Sequence, residues 1–258
     1  MSISLRHIKI ENVECLVHLP TRPNGFGVLI LGDRNHYVEG GISFWQQHTA
    51  RRQLLQSLIN EGYTVFYSGM GEIHWGSDKY LNITERLIRH VLKNEILNRK
   101  IHILAEGMGA LLAVRLMVRS QDSLRSVTLF NPCLDLDKHL REEKINRFFY
   151  KRFVKELVIA YSVKEEEVHE ICEKRTREMS EAPFHIPLRV FQLIYQAPYS
   201  PDVHVRPFIK ERNDRQKDLV TTFYMPGKTM EQFTKQLLLF FKKYETTSLK
   251  LGSVRDEG

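Results

Sequence analysis

The stretch Ile101–Met117, IHILAEGMGALLAVRLM, constrains the fold of this chain more than any other segment. Its apolar start, with Ile101, Ile103 and Leu104, ends abruptly at a turn of small residues around Gly107. Apolar residues with the 3.6-residue period of a helix follow the turn. The pattern predicts a buried strand, a sharp turn and a helix in immediate succession, which is the repeating unit of an α/β fold.

Strand and helix patterns alternate through the first half of the chain and return after residue 185. Continuous apolar runs bounded by turn residues predict strands that are buried on both faces, and amphipathic stretches lie between them. The other predicted core elements are Ile8–Leu19, Val28–Leu31, Phe44–Asn60, Tyr63–Tyr67, Ile83–Leu97, Leu124–Phe130, Leu188–Tyr195, Leu219–Tyr224 and Met230–Tyr244. This order predicts an α/β fold with a mostly parallel sheet flanked by helices.

Residues 137–185 interrupt this alternation. The segment is rich in charged residues with aromatic residues among them, as in Arg147–Phe153, RFFYKRF. We expect two or three helices here, inserted as a cap on a core formed by residues 1–136 and 186–258. Basic and aromatic side chains at this spacing are typical of a surface for an anionic membrane or a nucleic acid. They also fit an amphipathic helix that packs its phenylalanines on the sheet edge.

Composition limits the functions that this chain could have. A net charge of +7 is compatible with nucleic-acid binding. Because the basic residues are interleaved with glutamates, however, nucleic acid is not the expected partner. The three cysteines are widely separated, and the histidines show no metal-binding spacing. We therefore expect no metal and no cofactor. We also expect a cytoplasmic protein without a secretory signal or a transmembrane segment, although the basic cap could contact a membrane surface.

The turn at Gly107 resembles the nucleophile elbow of α/β-hydrolases, whose pattern is small-x-nucleophile-x-small. The segments Glu61–Val65 and Gly71–Ser77 are similar to a Gly-Tyr-x-Val strand and a Gly-His-Gly-x-Ser loop of that superfamily. The turn at Gly32 resembles its oxyanion-hole loop. The resemblance covers roughly residues 8 to 245 and implies the α/β-hydrolase fold with a helical cap after the sixth strand. It also implies a cleft lined by Gly32, Asp33, Gly107 and Met108.

The catalytic residues of the superfamily are missing from the matching positions. Gly107 stands at the nucleophile, Ser200 replaces the acid that commonly follows the seventh strand, and Lys228 lies in the final loop where the histidine is expected. The triad needs a nucleophile, a base that takes its proton and a carboxylate that orients the base. The joint loss predicts a non-catalytic member that binds a small apolar ligand or a protein partner through its cleft or cap.

A displaced catalytic site is the alternative. Cys133, beyond the sixth strand, could be the thiol nucleophile of an ester or thioester hydrolase or an acyltransferase, with His36 or His204 as base. A free cysteine is, however, commonly a small buried apolar residue. Glu106, next to the elbow, is a further candidate nucleophile or base, but we expect only the central residue of that turn to point into the cleft.

Overall fold

A sheet of eight strands forms the centre of the molecule. The computed structural model describes residues 4–250 except 72, 146, 214 and 217, and the side chains of this range up to residue 245. Its strands are β1 (Ser4–Ile10), β2 (Val13–Leu19), β3 (Gly27–Leu31), β4 (Val38–Glu39), β5 (Ile42–Ser43), β6 (Thr64–Ser68), β7 (Ile101–Glu106), β8 (Leu124–Phe130), β9 (Leu188–Leu193) and β10 (Leu219–Tyr224). β4 and β5 form a separate small hairpin. The large sheet has the order β1-β2-β6-β3-β7-β8-β9-β10.

Most neighbouring strands of the large sheet are parallel. The six strands from β6 to β10 in this order all run in one direction, whereas β2 is antiparallel to both β1 and β6. Strands of the parallel part, such as β3, are buried along their whole length, as the continuous apolar runs predict. The prediction of an α/β fold with a mostly parallel sheet is therefore confirmed.

Helices cover both faces of the sheet. They are α1 (Phe44–Gln47), α2 (Thr49–Asn60), α3 (Asp78–Asn94), α4 (Gly109–Arg119), α5 (Leu136–Glu143), α6 (Arg147–Tyr161), α7 (Val168–Ser180), α8 (Arg206–Arg212) and α9 (Thr234–Lys250). Helices α3 to α8 share one core with Leu29 and Leu31 of β3. Helices α1, α2 and α9 share the other core with Val28 and Ile30. This alternation along β3 follows the two-residue period of a strand.

Three helices, α5, α6 and α7, lie between β8 and β9, in the segment where the sequence predicts an insertion. We call them the helical insertion. Asp135 is the N-cap of α5, and its carboxylate accepts the N–H of Lys138 at 2.9 Å. Buried residues of α6, such as Phe153 and Leu157, join the core on that face of the sheet. The insertion is therefore packed onto the sheet through one apolar side of α6, and α5 and α7 contribute to the same core.

One predicted helix is divided. The sequence predicts a continuous helix over Phe44–Asn60, but α1 ends at Gln47 and α2 begins at Thr49. His48 has an extended backbone, with φ −76° and ψ 119°, which interrupts the helical hydrogen bonds. The prediction of one helix is wrong at this residue. Among the described helices, none combines the length and the apolar character needed to cross a membrane.

Candidate functional site

The turn between β7 and α4 has the backbone of an elbow. Gly107 has φ of +53°, a left-handed conformation that glycine adopts without the penalty of a Cβ atom. Its N–H donates to the carbonyl of Phe130 at 3.0 Å, and its own carbonyl accepts the N–H of Cys133 at 2.9 Å. These bonds tie the turn to the end of β8. The backbone of the predicted elbow is therefore present, although the residue at its centre has no side chain.

The carboxylate of Asp33 fills the space in front of Gly107. A Cβ atom built on Gly107 would lie 2.1 Å from Cγ and 2.3 Å from Oδ2 of Asp33, which is far inside contact distance. The N–H of Met108, the residue after the nucleophile position, donates to Oδ1 of Asp33 at 3.1 Å. In hydrolases with this elbow, that N–H helps to bind the oxyanion. The carboxylate of Asp33 thus occupies the space into which a nucleophilic side chain at residue 107 would extend. It also accepts the N–H of Met108, which corresponds to one donor of the oxyanion hole.

Tyr199 completes the environment of Asp33. Its hydroxyl donates to the same Oδ1 atom at 2.8 Å. Burial raises the pKa of Asp33, while the hydrogen bonds from Met108 and Tyr199 act in the opposite direction. The guanidinium of the adjacent Arg34 is bound elsewhere, because it donates to both carboxylate oxygens of Glu156 at 3.1 and 2.7 Å. The hydrogen-bond donors of the partly buried Asp33 are therefore neutral, although the positive charge of Arg34 also lowers its pKa.

A cavity of about 310 Å³ lies between Asp33 and the helical insertion. Aromatic side chains provide much of its wall, and charged groups of both signs lie among them. Its lining residues are Asp33, Arg34, Trp75, His139, Glu143, Phe149, Arg152, Phe153, Pro198 and Tyr199. The volume is at the lower end of the range for small-molecule sites, and the mixed apolar and polar wall is typical of them.

Glu156 of α6 holds the roof of this cavity in place. It accepts from Arg34, from Nε1 of Trp75 at 2.9 Å and from Nε of Arg152 at 3.0 Å, so three donors surround a buried carboxylate. Arg34 also lies over the ring of Trp75, with 5.2 Å between the guanidinium carbon and the ring centroid. This network fixes α6 to the loops after β3 and β6. The cavity is therefore bounded by residues with defined positions.

Two buried histidines lie at the back of the site. Burial lowers the pKa of His139 to about 4 and that of His204 to about 3, so both are neutral at pH 7. Nδ1 of His204 accepts the N–H groups of Leu134 and Asp135 at 3.2 and 3.1 Å, which assigns the proton to Nε2. Nε2 has no hydrogen-bond partner among the described residues. His204 therefore presents an N–H donor.

His204 also belongs to a group that has the composition of a metal site. The ligand atoms of His139, Glu142 and His204 lie within 4.8 Å of one another. A metal needs a lone pair on the coordinating nitrogen, and its histidine ligands donate the other N–H to a neighbour. His204 has the opposite arrangement, because Nδ1 receives two N–H groups. The hydrogen bonds of this group therefore do not favour a metal.

Ser200 and Lys228, at the positions predicted for the acid and the histidine, form no hydrogen bond or ion pair with Asp33 among the described residues. Ser200 contributes its carbonyl, which accepts the N–H of His204 at 3.0 Å, to the turn Pro201–Val205. The side chain that reaches the elbow from this loop is that of Tyr199. Lys228 is exposed in the loop after β10. Neither of these two positions thus brings an ionisable group to Asp33.

The displaced-site candidates are buried in separate surroundings. Cys133 is fully buried, and burial raises the pKa of its thiol well above the usual value. His36 packs against aromatic rings, and burial lowers its pKa well below the usual value. Among the described residues, no hydrogen bond joins the thiol to His36 or His204. Glu106 forms a bidentate ion pair with Arg51, in which Nε of Arg51 donates to Oε2 of Glu106 at 3.0 Å.

The predicted cleft lining needs correction. Asp33 lines the cavity, but Gly32, Gly107 and Met108 do not. The two glycines are covered, because a Cβ atom on Gly32 would overlap the ring of His36 at 1.8 Å and one on Gly107 would overlap Asp33. Met108 is buried in the core. The side chain of Asp33 thus separates the elbow from the cavity.

Sequence reasoning missed most of the cavity wall. Tyr199 directly precedes the position aligned with the catalytic acid. An alignment compares residue types, and it does not show which side chain of a loop points towards the elbow. Burial of Glu156 could have been predicted from the sequence, because this residue lies between Phe153 and Leu157 on the apolar side of α6. A carboxylate on an apolar helix face needs buried partners. That rule indicates a cluster at this position without identifying Arg34 or Trp75.

Comparisons with known proteins agree with this architecture. No family model matches the chain, and no curated protein matches it in sequence. An esterase of Pyrococcus furiosus is similar in structure, with a TM-score of 0.66, 13% identity and coverage of 94% of this chain and 93% of that one. Est1E from Butyrivibrio proteoclasticus gives a TM-score of 0.66 at 9% identity, covering 95% of this chain and 99% of the other.

A longer enzyme contains a similar domain. The puromycin-hydrolyzing peptidase of Mycobacterium tuberculosis has a TM-score of 0.72 at 11% identity, covering 94% of this chain and 39% of the peptidase. Identities this low establish the fold and leave the activity open. The chain has the α/β-hydrolase fold, as its resemblance to that superfamily implies.

Proposed function

We propose that this protein is a non-catalytic member of the α/β-hydrolase fold that binds a small, largely apolar molecule in the cavity under the helical insertion. The observation that carries the proposal is the position of Asp33. Its carboxylate occupies the space of a nucleophilic side chain and accepts the N–H of Met108. Asp33 thereby covers the elbow and contributes its own side chain to the wall of the cavity.

The chemistry of acyl transfer argues in the same direction. A tetrahedral intermediate carries a negative oxygen, and hydrolases stabilise it with N–H groups aimed at that oxygen. Here the N–H of Met108 is taken by the carboxylate of Asp33, which would repel a second negative group. His139 and His204 are neutral, but no hydrogen bond links either ring to a hydroxyl or thiol nucleophile in the described part of the chain.

The wall of the cavity supports a ligand with an aromatic or aliphatic body. Trp75, Phe153 and Tyr199 are almost fully buried, and Phe149 is half exposed at the mouth. Such rings supply apolar contact area with little loss of side-chain entropy. Asp33 and the hydroxyl that bonds to it are the polar groups at the floor, where they would orient a ligand that donates hydrogen bonds.

Binding and catalysis can be tested on the same samples. Indole and 2-naphthol serve as probes, and their binding is expected to raise the midpoint of thermal unfolding in a concentration-dependent way. Phe149→Ala should weaken this binding because it removes part of the wall. Phe148→Ala is the matched control, since Phe148 is the neighbouring exposed aromatic residue and does not line the cavity. Equal loss in both variants would contradict the assignment of the cavity.

The catalytic arm uses p-nitrophenyl acetate with wild type and with Gly107→Ser/Asp33→Gly. We expect no hydrolysis above background by wild type. Hydrolysis that survives Cys133→Ala and Glu106→Gln, and that indole inhibits competitively, would overturn the non-catalytic assignment. The double variant reports whether a serine placed at the elbow regains activity once Asp33 no longer fills the space.

The displaced-site hydrolase remains the alternative, and the thiol of Cys133 tests it. A buried thiol with a raised pKa reacts slowly, because the thiolate is the nucleophile. We expect iodoacetamide to label Cys133 only as the protein unfolds. Fast labelling of the native protein, together with ester hydrolysis lost in Cys133→Ser, would favour the alternative.

A further inference from the structure

The outward side of α6 combines exposed apolar and basic side chains. Ile145, just before the helix, is 92% exposed, and Phe148, Phe149 and Ile159 are 73%, 50% and 64% exposed. Exposed basic residues lie among them, namely Lys144, Arg147, Lys151, Arg152 and Lys155. We call this set of nine residues the α6 outer face. Single exposed apolar residues are ordinary, but a group of four on one short segment indicates a contact surface.

The arrangement follows from the helical repeat. Arg147, Lys151, Lys155 and Ile159 are four residues apart and therefore form one stripe along the helix. The opposite side of the helix packs in the core and carries the Glu156 network that bonds to Arg34 and Trp75. Because the buried side fixes the rotation of the helix, the α6 outer face points outward in a defined orientation.

Several basic groups of this face form no ion pair among the described residues, although Glu142 and Glu143 directly precede Lys144. Arg152 pairs with Glu156, which Arg34 also neutralises. For Arg147, Lys151 and Lys155, the described part of the chain contains no ion pair. Uncompensated cations beside exposed apolar side chains match an anionic partner that also offers an apolar phase. An anionic lipid bilayer has both properties.

We propose that the α6 outer face docks the protein on anionic lipid membranes. Phe148, Ile145 and Ile159 enter the boundary between headgroups and acyl chains, while the lysines and Arg147 contact the headgroups. A single-stranded nucleic acid would use the cations and stack on phenylalanines, but it offers nothing to the two isoleucines. Phe149 and Arg152 also line the cavity, so docking would place the cavity mouth next to the bilayer. The proposal does not depend on the ligand of that cavity.

Co-sedimentation with large unilamellar vesicles tests the proposal. We expect wild type to bind vesicles of phosphatidylcholine with phosphatidylglycerol and not vesicles of phosphatidylcholine alone, with binding weakened by salt. Lys151→Glu/Lys155→Glu should lower the affinity more than tenfold, because it reverses two charges at the surface. Phe148→Ser should lower it several-fold and lessen the binding that survives high salt.

Matched controls distinguish binding through the α6 outer face from effects of net charge or of exposed apolar surface elsewhere. Lys93→Glu/Lys100→Glu changes net charge equally, but these exposed residues lie near the start of β7, at the sheet end opposite α6. Leu239→Ser removes an apolar side chain that is 61% exposed on α9. Both controls should bind like wild type. No binding by wild type, equal losses in the control variants, or tighter binding of a single-stranded oligonucleotide than of the anionic vesicles would each overturn the proposal.

Discussion

The elbow and the two loops that would complete a triad differ in what they retain. At the elbow, Gly107 keeps the left-handed turn, and the N–H of Met108 still points to the site. After β9, the chain turns at Pro201–Val205 and buries His204, and after β10 the loop leaves Lys228 exposed. The elbow connects a buried strand to a buried helix, so the packing of these two elements requires its backbone conformation. The loop after β9 is also packed into the core, through Tyr199 and Val205, whereas the loop after β10 leaves residues such as Lys228 exposed.

The largest effect should come from the ion pair beside the elbow. Arg51→Met leaves the carboxylate of Glu106 buried without a partner, and we expect a loss of about 3–5 kcal/mol in the free energy of unfolding. Urea denaturation at pH 7 measures it. The double variant Arg51→Met/Glu106→Gln should recover part of the loss, because no unpaired charge remains. A double variant as unstable as the single one would show that packing of Arg51, rather than charge, is what matters.

The two glycines of the elbow provide the next test. Gly107→Ala requires a left-handed alanine, which costs about 1–2 kcal/mol, and it also creates an overlap with Asp33 that costs about 1–3 kcal/mol more. Gly109→Ala places a Cβ atom 2.4 Å from the carbonyl oxygen of Leu31, and we expect about 1–3 kcal/mol for that overlap. Urea unfolding of both variants gives the two losses.

Asp33→Ala distinguishes the two overlaps. Combined with Gly107→Ala, it should recover the part of the loss that is due to the overlap, since the obstructing atoms belong to a side chain. Combined with Gly109→Ala, it should recover nothing, because the obstructing atoms belong to the backbone of Leu31. A double-mutant cycle without coupling between residues 33 and 107 would contradict the position of Asp33 at the elbow.

The same distinction explains which features the sequence could predict. Apolar runs and the small-residue turn predicted the parallel sheet and the elbow because the backbone there obeys local, periodic rules. Comparison with a known pattern predicts that Gly107, Ser200 and Lys228 replace the catalytic residues, and this stays a prediction. The contact of Asp33 with Met108 and Tyr199 joins three loops far apart in sequence, and no short-range pattern encodes it.

Acid should destabilise the protein through its buried histidines. Burial lowers the pKa of His204 to about 3 and that of His139 to about 4, whereas unfolded histidine titrates near 6.5. The unfolded state therefore binds more protons as pH falls below about 6.5, and stability declines from there towards the folded pKa values. Each group contributes up to about 1.4 kcal/mol per pH unit in this window. Urea unfolding at a series of pH values gives the slope.

His204→Asn isolates one contribution to that slope. The side-chain oxygen of asparagine can accept the N–H groups of Leu134 and Asp135 in place of Nδ1, and it does not titrate. The variant should lose less stability than wild type between pH 6.5 and 4.5. An unchanged slope would mean that His204 has the same pKa in the folded and the unfolded protein, which would contradict the lowered pKa of the buried ring.

The smallest effects should occur at Ser200 and Lys228, the positions matched to the acid and the histidine of the triad. Ser200→Ala keeps the carbonyl that supports the turn, and Lys228→Ala changes an exposed side chain, so each should alter stability by less than about 0.5 kcal/mol. Tyr199→Phe, one residue from Ser200, removes the hydrogen bond to Asp33 and should cost about 1 kcal/mol. Thermal unfolding of the three variants measures these differences. A larger effect at Ser200 than at Tyr199 would mean that the loop after β9 still serves the elbow through its acid position, and the contrast between elbow and loops would fail.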